Sequence, residues 1–129
     1  MIFAIVAGAL VAGVNAVSNK PPVGAAATVV STLPAMDAVV ESGPITLSVT
    51  FDRAMQRQSY SFVQKSADTY PQCGKNRAEQ SADGRTFTLR CEVRPGQRYE
   101  VWFNSPPYMN FVGKDGKPAV PYGLRFRTR

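Results

Sequence analysis

Histidine is absent from the 129 residues, and cysteine occurs only twice. The first absence removes the commonest general acid–base side chain near neutral pH, every His-based nucleophilic triad and the commonest zinc ligand. The second leaves no CxxC pair, and two thiols without a histidine make only half a metal site. No metal and no cofactor is expected. Charge is missing from the N-terminus, where no ionisable side chain precedes Lys20. An apolar run long enough to span a bilayer is lacking too. Met1 to Val14 is apolar, Ala or Gly throughout, yet as a helix it reaches only about 21 Å against a hydrocarbon core of about 30 Å. After Lys20 no stretch shows a helical period. GxSxG, P-loop, HExxH and EF-hand spacings are all absent.

The uncharged N-terminus has the length of a secretory h-region, and Val14-Asn15-Ala16 supplies small residues for cleavage after Ala16. Residues 1–16 therefore read as a signal peptide. The basic n-region is missing, so an uncleaved anchor is the other reading, and a membrane would be met only through that segment. Ala25-Ala26-Ala27 offers a later cleavage site. Residues 17–28, rich in Pro, Gly, Ala and Ser, read as a flexible lead-in to a domain over 29–129. In an exported chain the even pair Cys73 and Cys91 reads as one disulfide. The expected location is periplasmic or extracellular.

The rest of the composition fits one turn-rich globular domain: 44% hydrophobic, 19% charged, ten Gly and ten Pro. Ile45, Leu47, Val49 and Phe51 alternate with Thr46, Ser48 and Thr50, the period of a half-buried strand. Phe87, Leu89 and Cys91 alternate with Thr86, Thr88 and Arg90. Tyr99, Val101 and Phe103 alternate with Glu100, Trp102 and Asn104. Shorter runs at Val29–Thr32, Ala38–Glu41, Tyr60–Gln64 and Tyr122–Thr128 complete a set of about seven strands. Ala82-Asp83-Gly84 is a turn signal, and Arg94-Pro95-Gly96-Gln97 fits a type II turn. Short strands separated by such turns predict an all-β, Ig-like β-sandwich of about seven antiparallel strands.

Four segments in this order resemble the bacterial Ig-like domain of the SbsA type, found in S-layer and other envelope-associated proteins. They are Phe51-Asp52-Arg53-Ala54-Met55, Asp83-Gly84-Arg85-Thr86, Arg94-Pro95-Gly96-Gln97-Arg98-Tyr99-Glu100-Val101 and Leu124-Arg125-Phe126-Arg127-Thr128. The resemblance runs from about Val29 to Arg129. It implies an accessory module with no shared catalytic residues, exported to the cell envelope. Within that frame Asp52 is expected to cap amides of the following bend and Met55 to plug the end of the sandwich. Tyr99 resembles a tyrosine corner. A Cys73–Cys91 bond would tie the Tyr70-Pro71-Gln72 loop to a sheet.

No enzyme is expected, since Asp83 and Asp115 precede Gly as turn formers and Asp52 is explained by capping. For binding, alternation sends Trp102 outward, where Arg125 and Arg127 of the last strand flank it; Asn104 and Tyr108, with Met109 and Phe111, extend the patch. Such a surface suits an envelope protein or an anionic or glycan polymer. The alternative reading is a small ligand- or carbohydrate-binding protein using the Trp102 face. Against both stands a bland one, in which Arg stems cover the Trp and the loop aromatics fold back. The formal charge of +6 is scattered, which favours anionic envelope polymers over nucleic acid.

Overall fold

The computed structural model describes residues 24–129. The expected signal peptide, residues 1–16, and the start of the expected lead-in lie outside the described residues. The strands are β1 (Val29–Leu33), β2 (Val39–Val40), β3 (Gly43–Phe51), β4 (Phe62–Val63), β5 (Glu79–Gln80), β6 (Thr86–Val93), β7 (Arg98–Phe103) and β8 (Tyr122–Thr128). A single 3-10 turn, Ala67–Thr69, follows β4. Two four-stranded sheets result, with orders β1-β3-β6-β5 and β2-β8-β7-β4. All pairings are antiparallel except β2 with β8, which is parallel. This is the immunoglobulin arrangement, with the opening strand divided between the two sheets.

Period-two alternation produces the core directly. Leu47, Val49 and Phe51 of β3 face Phe87 and Leu89 of β6 on the inner side of the first sheet. Val101 and Phe103 of β7 with Leu124 and Phe126 of β8 form the facing layer, and all are buried. Tyr60 and Phe62 pack against this core half-buried. At its centre sits Phe111, from the long loop between β7 and β8. Its ring lies 5.0 Å from Phe51 and from Phe87, 5.4 Å from Phe62 and 6.1 Å from Phe103. These tilted and edge contacts join both sheets around one loop residue.

Strand β3 begins two residues before the alternating run, through Gly43 and Pro44. Proline fits there because Pro44 lies opposite Glu92, whose N–H and C=O both pair with Gln72 instead. No ladder bond is asked of Pro44, so its missing N–H costs nothing. Strand β5 carries no alternation that a sequence could show, being two polar residues on the edge beside Phe87 and Thr88.

Local devices fix the strand ends. The Tyr99 hydroxyl accepts from the Arg94 amide at 2.7 Å, the tyrosine-corner bond. Thr128 Oγ1 accepts from Gln97 N–H at 2.9 Å and donates to the Arg94 carbonyl at 2.5 Å, so a hydroxyl bridges the Pro95–Gly96 turn. Gly96 holds the positive φ of 64° that a type II turn requires. Met55 is fully buried. The Cys73–Cys91 disulfide forms, beside the Gln72–Glu92 bridge, and ties the Tyr70–Gln72 segment to β6.

Asp52 does not cap the bend that follows it. Its carboxylate turns back to accept from Thr28 N–H at 3.3 Å and Thr28 Oγ1 at 3.1 Å, and pairs with Arg53 at 2.9 Å. Arg53 also donates to the carbonyls of Ala25 and Ala26, and Lys117 to that of Gly24. Residues 24–28 are thereby strapped across one end of the sandwich, with Ala27 only 1% exposed. Burial opposes ionisation of Asp52, but the hydrogen bonds from Arg53 and Thr28 outweigh it and hold the carboxyl below its ordinary 3.8.

Candidate functional site

The outward residues of β7 are Arg98, Glu100 and Trp102, and those of β8 are Gly123, Arg125 and Arg127. The register sets Arg98 opposite Arg127, Glu100 opposite Arg125 and Trp102 opposite Gly123. Trp102, Arg125 and Arg127, three of the residues expected to act together, thus share one face of the second sheet. Arg98 joins them.

Trp102 lies flat because its cross-strand partner has no side chain. A Cβ at residue 123 would fall 2.6 Å from two atoms of the indole, so only glycine lets the ring settle on β8. The indole N–H donates to Glu100 Oε2 at 2.7 Å. The Lys65 ammonium stands 5.1 Å from the ring centroid, a cation–π contact, and also donates to Ser105 Oγ at 2.6 Å. The ring is therefore engaged by the chain's own groups, and the cation over it is Lys65, not an arginine of the last strand.

The electrostatics of the face follow from that arrangement. Glu100 stands opposite Arg125, where a cross-strand ion pair is the ordinary outcome. Its carboxylate instead holds the indole. Among the described residues the only salt bridges within 4.0 Å are Asp52–Arg53 and Glu41–Arg129, so Arg98, Arg125 and Arg127 have no carboxylate at that distance. These three guanidinium groups, with Glu100, Thr69 of the 3-10 turn and Asp37, line an open cleft of about 340 Å³. Asp37 is brought there by the bond from its amide to the Arg125 carbonyl at 2.7 Å. A surface that sets arginine opposite arginine suits an anion.

Asn104 and Tyr108 are placed elsewhere. Asn104 is 0% exposed, and its amide donates to the carbonyls of Phe111 and Ala119 at 2.9 and 3.0 Å while accepting from Phe111 N–H at 2.9 Å. Its left-handed φ of 67° is one that Asn tolerates better than most residues. The side chain is a clamp for the β7–β8 loop and holds Phe111 in the core. Tyr108 is 59% exposed and lines a different cleft of about 530 Å³ with Tyr60, Phe62 and Tyr70. Burial raises the Tyr70 phenol, whose hydroxyl donates to the Phe62 carbonyl at 3.3 Å.

The candidate set drawn from the sequence does not include Arg98, Glu100, Lys65, Thr69 or Asp37. Alternation along β7 does place Arg98 and Glu100 on the Trp102 face. Their pairing with Arg127 and Arg125 depends on a register hidden by the loop between the strands. Among the described residues no group of three or more His, Cys, Asp or Glu side chains could hold a metal ion.

The fold and this face define the chain as an Ig-like β-sandwich. Among solved structures it is similar to the S-layer protein rSbsC, with a TM-score of 0.50 and 20% identity over 80% of this chain. A structure of surface layer protein SbsC, domains 1–6, is similar at a TM-score of 0.50 and 18% identity, also over 80% of this chain. The chain spans about 14% of the length of each, so the likeness is to one part of a much longer protein. At these identities the likeness concerns the fold, and it does not establish the SbsA-type membership that the motifs imply. No protein-family profile and no curated protein sequence matches the chain.

Proposed function

We propose that this chain is a non-catalytic Ig-like module of the SbsA type, exported to the bacterial cell envelope, where the outer face of its second sheet meets an envelope partner. The observation that carries this reading is the row Arg98, Arg125 and Arg127 with no carboxylate within salt-bridge distance, beside a Trp already satisfied by Glu100 and Lys65. Opposed like charges that gain no ion pair within the fold are open to an anionic partner. The similarity to parts of S-layer proteins, the disulfide and the apolar residues 1–16 support an envelope setting. Residues 1–16 act in this reading as the export signal, and the partner is an envelope protein or an anionic or glycan polymer. The small-ligand alternative loses ground because the Trp102 ring is occupied by Gly123 and Lys65.

The test is fractionation of cells expressing the tagged full chain. The wild type is expected in the envelope fraction, with residues 1–16 removed by intact-mass measurement. The double variant Trp102→Ala/Arg125→Ser is expected in the soluble fraction. A wild type that is soluble from the start, or a variant held as firmly as the wild type, would remove the proposed face from consideration.

A further inference from the structure

We infer that the cleft walled by Arg98, Arg125, Arg127 and Thr69 takes the acidic groups of an anionic polysaccharide. This rests on the reading of the second sheet's outer face as the interaction surface, and it names the partner. Charge complementarity is the first argument. Arg98 and Arg127 are direct cross-strand neighbours, an arrangement that disfavours the sheet; Asp37 and Glu100 line the same cleft, so its three guanidinium groups exceed its two carboxylates by one charge. Arg125 stands one pleat repeat along β8, and its opposite carboxylate is held by the Trp102 indole. Guanidinium forks are the side chains best matched to carboxylate or phosphate oxygens.

Spacing is the second argument. Neighbouring strands lie about 4.8 Å apart, and residues two apart on one strand about 6.7 Å. The bases of the three arginines therefore repeat at intervals of about 5–7 Å along an open surface, which fits a regularly charged chain better than one isolated ion. The third argument separates a polysaccharide from an acidic protein. Protein interfaces have an apolar centre, whereas the apolar side chains of this face, Val39, Val63 and Trp102, are half-buried or buried against their neighbours. The exposed large apolar side chains, Val30, Leu33, Tyr108 and Val120, all lie off this face. Thr69 adds a hydroxyl at the rim, suited to a hydrated ligand.

The experiment measures binding of the purified exported chain to immobilised polygalacturonate and to a phosphate-bearing mannan, with neutral dextran and poly-aspartate as comparisons. Binding is expected to one or both acidic polysaccharides, whichever charge the site prefers, and to weaken as salt rises. Arg98→Thr/Arg127→Thr should lower affinity about tenfold or more, while Arg77→Ser/Arg90→Ser, the same charge loss beside the first sheet, should leave it unchanged. Arg98→Lys, which keeps charge and loses the fork, should fall between. Urea midpoints for every variant confirm folding. Equal losses from the two double variants would reduce the effect to net charge and overturn the site. Equal binding of dextran or of poly-aspartate would overturn the ligand class. If neither acidic polysaccharide binds while the face variant still leaves the envelope fraction, the polysaccharide is wrong and the face stands. If both tests fail, both readings fall.

Discussion

The two outer faces of the sandwich are built from strands of similar length and carry opposite kinds of surface. On the first sheet, Thr50 and Thr86 stand opposite each other and share a 2.9 Å hydrogen bond. Ser48 pairs with Thr88, and Arg90 stands opposite Thr46. No like charges stand opposite each other on this sheet. On the second sheet, Arg98 stands opposite Arg127, Arg125 is next along the strand, and the available glutamate serves a tryptophan. The first face is organised for the fold. The second carries charge that the fold does not use, and the difference locates the surface that a partner would read.

The comparison can be broken by variants that should affect stability alone or binding alone. The largest effect is expected at Asn104, the buried clamp of the loop on the second sheet. Asn104→Ala leaves the Ala119 carbonyl and the Phe111 amide without partners and takes one of two donors from the Phe111 carbonyl, so a loss of about 3 kcal/mol is expected in urea unfolding. Since the Phe111 amide is held by that clamp, faster hydrogen exchange of that amide is expected alongside. Next is the disulfide of the first sheet. Cys73→Ser/Cys91→Ser should cost about 3 kcal/mol with binding to acidic polymers unchanged in the folded variant. Tyr99→Phe, removing the tyrosine-corner bond to Arg94, should cost about 1 kcal/mol by the same unfolding measurement.

A pH series sharpens the account of the strap at residues 24–28. The Asp52 carboxyl is held below 3.8 in the folded chain, so its contribution is fully present above that value and is lost as pH falls through the depressed one. Asp52→Asn should therefore be less stable than the wild type near neutrality, and the two should converge in acid. A gap that persists at the lowest pH would assign the effect to packing rather than charge. The smallest stability effect is expected at Gly123. A methyl there must displace the Trp102 indole, so Gly123→Ala should shift the fluorescence of the single tryptophan while unfolding stays within about 1 kcal/mol of wild type.

Much of the inner architecture is visible in the chain's own pattern. Alternation identifies the buried faces of β3, β6, β7 and β8, because period two leaves a strand only one way to face a core. The Pro95–Gly96 turn and Tyr99 announce the corner between β6 and β7. The limits are equally physical. Strand β5 is two polar residues whose only signal is the neighbour they pair with. Asp52 caps nothing downstream because its partner, Thr28, lies in a segment whose composition reads as linker. Asn104 alternates outward on paper, but a left-handed backbone at the strand end rotates it into the loop. The site is legible only by half: alternation gathers Trp102, Arg125 and Arg127, whereas the opposition of Arg98 to Arg127 exists only once the two strands are laid side by side.

Urea unfolding of Arg98→Thr beside the wild type tests most directly whether the second face is charged for a purpose other than folding. If the opposed arginines are a burden on the sheet, relieving them raises the unfolding free energy by a few tenths of a kcal/mol or leaves it unchanged. A loss of about 1 kcal/mol or more would show that Arg98 holds the sandwich together, and the distinction between the two faces would be gone.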